Sequence, residues 1–68
     1  MTLPERRKRM NLKQEDIANS LGVGRSTVSK WETGKFLPSS KLLPALASIL
    51  GCSVDDILSD LQKTVHKK

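Results

Sequence analysis

The chain has 68 residues, of which 37% are hydrophobic and 28% charged, a balance typical of one small globular domain. Nine basic and four acidic residues lie within 1–41, so this part of the chain holds the whole net charge of +5 and predicts a polyanionic partner. One cysteine and one histidine exclude a disulfide framework and a Cys/His zinc finger, and the short apolar runs exclude a membrane-spanning helix.

Apolar residues recur three and four positions apart along the chain, which predicts helices rather than strands. Five helices are expected, at about 3–10, 13–21, 25–33, 41–50 and 53–61. Helices this short do not persist alone in water, so all five must share one core. The prediction is an all-α, compact five-helix bundle over residues 1–62, followed by a basic, disordered tail at 63–68.

The starts of the second and fourth helices are harder to assign. Lys13 is a poor N-cap for the second helix, and Asn11 is the alternative start. Either Ser39 or Ser40 can cap the fourth helix. Pro44 is tolerated there if it lies within the first turn, where its missing amide hydrogen costs nothing.

The fifth helix carries three aspartates, Asp55, Asp56 and Asp60. We expect capping and surface roles for them, because they lack the oxygen-rich loop that a calcium site needs. Ser53 and Asp56 have the spacing of a capping box. No metal site and no cofactor are predicted.

Residues 14–33 carry the most specific pattern in the chain. Two short helices meet at Gly22, where the chain must reverse and a positive φ favours glycine. Ala18 is small where a second helix must cross closely, and Val28 and Trp31 give the next helix its core face. This spacing is typical of a DNA-binding helix-turn-helix.

The motif resembles the helix-turn-helix of the phage lambda and 434 repressor and Cro family, also called Xre-like regulators. The matching positions are Gln14, Ala18, Gly22, Val28 and Trp31, and the similarity continues through WETGK at 31–35, LPALA at 43–47 and LGCSV at 50–54. It covers about residues 3–61. The resemblance implies a five-helix domain that places its third helix in the major groove of double-stranded DNA.

The resemblance also implies which residues contact DNA. Base contacts are implied for Arg25, Ser26, Thr27 and Lys30. Arg25 can bond both O6 and N7 of guanine, a pairing worth about 1–3 kcal/mol in discrimination. Phosphate contacts are implied for Gln14, Lys13, Thr33, Lys35 and Lys41.

Two further pairs follow from the resemblance. Arg7 and Glu32 match a partly buried ion pair that links the first and third helices in relatives. Leu58 and Leu61 lie in the region that often joins two subunits. We therefore expect a homodimer on a two-fold DNA operator.

Taken together, the sequence predicts a sequence-specific transcriptional regulator, a repressor, in the cytoplasm and without a small-molecule ligand. The alternative is a protein-interaction module, such as an antitoxin that binds a partner protein through its C-terminal helix. An enzyme is not expected, because the chain has no Cys/His or Ser/His dyad with a third member and no glycine-rich phosphate loop. A membrane-surface helix is disfavoured, because the basic segment lacks an apolar face.

Overall fold

A computed structural model describes residues 1–64 and shows five α-helices. They are α1 (Leu3–Arg9), α2 (Gln14–Leu21), α3 (Arg25–Thr33), α4 (Leu43–Leu50) and α5 (Val54–Thr64). The predicted all-α five-helix fold is confirmed, with no strand in the described residues. Among these helices, none combines the length and the hydropathy needed to cross a bilayer. The predicted tail overlaps the last two residues of α5, and its remainder, 65–68, lies outside the described residues.

A single apolar core joins the helices. α2 packs on α3 and α4, and α5 packs on α1, α3 and α4. The buried residues that form this core are Leu3, Ile17, Ala18, Val28, Trp31, Leu46, Ala47, Leu50, Ile57 and Leu61. Every helix contributes at least one of them, which explains how elements of 7 to 11 residues remain folded.

The second helix begins after Lys13, which is its N-cap residue. The backbone N–H of Lys13 donates to Asp16 Oδ2 at 2.8 Å, so the side chain of the third helical residue bonds back to the N-cap amide, as in one half of a capping box. Asn11 lies before the helix in the left-handed region, with φ of 59°. The alternative start at Asn11 is therefore wrong.

The fourth helix begins at Leu43, two residues later than predicted, and Leu42 is its N-cap residue. The predicted serine cap is wrong, because no side chain caps this helix. A turn precedes it instead, in which the N–H of Leu42 donates to the carbonyl of Ser39 at 3.0 Å. Pro44 lies in the first turn, where it was expected.

The fifth helix begins with the predicted capping box. The N–H of Asp56 donates to Ser53 Oγ at 3.0 Å, and the N–H of Ser53 donates to Asp56 Oδ2 at 3.2 Å. The bond from the Ser53 N–H favours the ionised carboxylate, and it is the main cause of a lowered pKa for Asp56.

The expectation of a surface role for Asp60 is wrong. Asp60 is only 1% exposed and accepts a hydrogen bond from Arg6 Nε, which ties α1 to α5. This hydrogen bond is the main cause of a raised pKa for Arg6. The reason is geometric, because Asp60 lies three residues after Ile57 and one before Leu61, on the side of α5 that faces the core.

Candidate nucleic-acid interface

The turn between α2 and α3 contains two glycines, of which Gly22 adopts a left-handed conformation. Gly22 ends α2 with a φ of 71°, and the N–H of Val23 then donates to the carbonyl of Ala18 at 3.0 Å. Gly24 is the N-cap residue of α3, and its carbonyl accepts from the N–H of Thr27 at 3.0 Å. The third helix therefore starts abruptly, with Arg25 as its first residue.

The third helix has two unlike faces. Val28 and Trp31 are 1% and 3% exposed and belong to the core, as predicted. Arg25, Ser26 and Lys30 are exposed on the other side. The 3.6-residue period separates the two sets, so the core contacts fix which polar side chains α3 presents to solvent.

The exposed face of α3 borders an open concave surface of about 720 Å³. We call it the α3 surface. Its lining residues are Gln14, Arg25, Ser26, Ser29, Lys30, Thr33 and Lys35. Three of the seven are cations, the other four are neutral hydrogen-bonding residues, and among the described residues no carboxylate lines it. A surface of this composition attracts phosphate and offers donors to base edges.

The one acidic residue of α3, Glu32, is turned away from the α3 surface. Its Oε2 lies 2.7 Å from Arg7 Nε, and its Oε1 accepts from Arg7 Nη2 at 3.3 Å. The two side chains are 7% and 13% exposed, so the pair is largely shielded from water. Arg7 Nη1 also donates to the carbonyl of Leu12 at 3.0 Å. The negative charge of Glu32 is thus neutralised by α1.

Gln14 joins this pair to the α3 surface, a link that the sequence did not reveal. Its Nε2 donates to Glu32 Oε1 at 3.0 Å. A primary amide carries two N–H donors, so this bond fixes the side chain and leaves a second donor for another acceptor. Gln14 is the first residue of α2, and its position at a helix N-terminus suits an anion.

The remaining residues predicted to contact DNA do not line the α3 surface. Lys13 lines a smaller concavity of about 240 Å³ beside Gln14 and Arg25. Thr27 is half-buried and does not line the α3 surface, and Lys41 is exposed but lies outside it. The predicted DNA contacts therefore divide into a set that the fold brings together and three residues at or beyond its edge.

Ser29 is not among the residues for which the sequence predicts a DNA contact. It lines the α3 surface with Arg25 and Ser26, four and three residues before it. Positions with this spacing share a helix face, so the helical period was sufficient to identify it.

The two leucines expected at a subunit contact have different environments. Leu58 is 43% exposed on α5, whereas Leu61 is 3% exposed and belongs to the core of its own chain. The side chain of Leu61 is therefore withheld from a second copy, and Leu58 is presented to solvent.

Comparison with known proteins identifies the family. Residues 5–57 match the helix-turn-helix family. The chain is 47% identical over 47 residues to an uncharacterized HTH-type transcriptional regulator of Methanocaldococcus jannaschii, covering 69% of this chain and 71% of that protein. It is 39% identical over 49 residues to the HTH-type transcriptional activator BcrR of Enterococcus faecalis, covering 72% of this chain and 24% of BcrR.

A third relative is the cryptic phage CTXphi transcriptional repressor RstR of Vibrio cholerae, 31% identical over 58 residues. That alignment covers 85% of this chain and 52% of RstR, so the chain spans about half of RstR and a quarter of BcrR. No solved structure gives a significant match. With α2 and α3 as its motif, the chain belongs to the helix-turn-helix family, which confirms the resemblance seen in its sequence.

Proposed function

We propose that the protein is a sequence-specific, double-stranded DNA-binding transcriptional regulator that acts as a repressor in the cytoplasm. The observation that carries this proposal is the α3 surface, which is lined by three cations and four neutral polar residues while Glu32 is held away by Arg7. Phosphates require the cations, and base edges require the donors and acceptors. The names of the relatives support a transcriptional regulator, since RstR is named a repressor and BcrR an activator.

In this proposal α3 enters the major groove with its N-terminal end against the bases. Arg25 is the first residue of α3 and is exposed, so its guanidinium has access to guanine O6 and N7. Ser26 and Lys30 lie on the same face and complete the base contacts. Gln14, Thr33 and Lys35 surround them and contact phosphates, which fixes the position of the helix on the duplex.

The repressor acts as two copies on a two-fold operator. One α3 surface offers few contacts, and a second copy on an adjacent half-site adds its own binding energy. Leu58 is the residue that we assign to the subunit contact, because it is exposed on α5. Analytical ultracentrifugation of Leu58→Ser, with and without operator, tests this assignment. If the variant forms dimers at the same protein concentration as the natural protein, the assignment is contradicted.

Selection of bound sites from random duplex DNA tests the function itself. We expect one half-site sequence, repeated as an inverted pair. If the dimer neutralises about six phosphates, log K falls against log salt concentration with a slope of about −5. A binding constant that does not change with salt would contradict the proposal. Failure to enrich any duplex, together with capture of a stable protein partner, would favour the protein-interaction module instead.

A further inference from the structure

The loop after α3 returns to the end of that helix. Gly34 has a φ of 83°, which reverses the chain. The carbonyl of Lys30 then accepts from the N–H of Lys35 at 2.9 Å and from the N–H of Phe36 at 3.3 Å. These bonds fix the backbone of Phe36 against the last turn of α3.

The side chains of the same two residues also meet. Lys30 Nζ lies over the ring of Phe36, 5.3 Å from its centroid. This is within the distance at which an ammonium group is attracted to the face of an aromatic ring. Phe36 is 59% exposed, so burial in the core does not account for the placement of this ring.

We infer that Phe36 is a positioning residue for DNA recognition, which holds the ammonium of Lys30 at the α3 surface before DNA arrives. The inference rests on the proposed function. A free lysine side chain samples many rotamers, and ordering it on binding weakens affinity. The Phe36 ring restricts that motion in the free protein, so part of the ordering is complete before the complex forms.

The contact is tested first in the free protein, without DNA. The ring current of Phe36 shifts the terminal methylene protons of Lys30 upfield in NMR spectra. Phe36→Tyr keeps the shift because it keeps the ring, and Phe36→Leu abolishes it while keeping an apolar side chain. Leu37→Ala is the matched control, because Leu37 is the next residue and is 62% exposed. Absence of the shift in the natural protein would overturn the inference.

The role in binding is tested with the duplex that the natural protein selects from random DNA. Phe36→Leu lowers affinity by about two- to fivefold, the loss expected from one exposed cation–π contact. Phe36→Tyr restores it. In a Lys30→Met background the loss disappears, because Phe36 acts through Lys30. An equal loss in that background would show that the ring touches DNA itself, and no loss in the natural background would show that it has no role. Either result overturns the inference.

The two experiments separate this inference from the proposed function. Failure of the natural protein to bind any duplex would overturn the proposed function, and the role of Phe36 in binding with it. A normal salt-dependent affinity combined with no ring-current shift at Lys30 would overturn the positioning role and leave the proposed function intact.

Discussion

The first and third helices both carry basic residues, but they use them differently. In α1, Arg6 and Arg7 are paired with carboxylates of α5 and α3. In α3, Arg25 and Lys30 face an open concave surface, and no carboxylate of the described residues is paired with either. The basic run of α1 is denser in the sequence, yet half of it stabilises the fold. Density of charge along a sequence therefore does not identify a binding surface.

The difference follows from the direction in which each side chain leaves its helix. Consecutive residues of a helix are about 100° apart around its axis, so Arg6 reaches Asp60 while Arg7 reaches Glu32. Together the two arginines connect α1 to α5 and α3 through ion pairs. The Arg7–Glu32 pair also keeps a negative charge away from the α3 surface, so a stabilising contact shapes the electrostatics of that surface.

The largest expected effect comes from breaking the ion pair between Arg7 and Glu32. Arg7→Met leaves the carboxylate of Glu32 shielded from water without its cation, and removal of one partner from such a pair costs about 3–5 kcal/mol of unfolding free energy. Urea denaturation measures the loss. Lys8→Met removes a neighbouring exposed charge and should change stability by less than about 0.5 kcal/mol. Equal losses of unfolding free energy in the two variants would show that Arg7 contributes no more to stability than the exposed Lys8.

The next largest effect concerns the exposed arginine of α3. Arg25→Ala should weaken binding to the selected operator by about 1–3 kcal/mol and relax preference at one base pair, while urea denaturation stays unchanged. Titration against the operator and against duplexes altered at single positions measures both quantities. Equal weakening on every sequence would assign Arg25 to the phosphates.

A smaller effect concerns the start of α5. Ser53→Ala removes one half of the capping box of α5 and should lower the unfolding free energy by about 1 kcal/mol at neutral pH. Ser59→Ala, at an exposed position of the same helix, is the control and should change it by less than about 0.5 kcal/mol.

The same variant should alter the dependence of stability on pH. Because the pKa of Asp56 is lowered in the folded state, its contribution is present above the unfolded pKa of about 3.9 and is lost as pH falls through the folded pKa. Ser53→Ala keeps the backbone N–H that is the main cause of that shift and removes the side-chain hydrogen bond, which is the second cause, so the loss of stability between neutral and acid pH should be slightly smaller. If the difference in unfolding free energy between neutral and acid pH is the same in the variant and the natural protein, the Ser53 side chain does not contribute to the lowered pKa of Asp56.

The smallest effect separates two exposed lysines. Lys35→Met should reduce the salt slope by about 1 and weaken binding alike on all sequences, because Lys35 lines the α3 surface. Lys8→Met removes the same charge from α1 and should leave the slope nearly unchanged. Equal reductions would mean that α1 also contacts phosphate.

Sequence reasoning succeeded where a local pattern is sufficient. The capping box at Ser53 needs only a spacing of three residues, and the burial of Val28 and Trp31 needs only the helical period. It failed where the outcome depends on distant elements. The prediction gives Asp60 the same capping or surface role as Asp55 and Asp56, whereas its partner Arg6 is 54 residues away in the chain.

By itself, the sequence determined that the described residues fold into helices and where α2 and α3 lie, because helical period, capping and turn residues act over a few positions. Its motifs also carry the resemblance to the family to which the chain belongs. Tertiary structure decided which cations line the α3 surface, that Gln14 is fixed by Glu32, and that Leu61 is withheld from solvent. These outcomes depend on how α1 and α5 pack against α3. Packing of that kind is set by distances between side chains far apart in the chain, which no local pattern records.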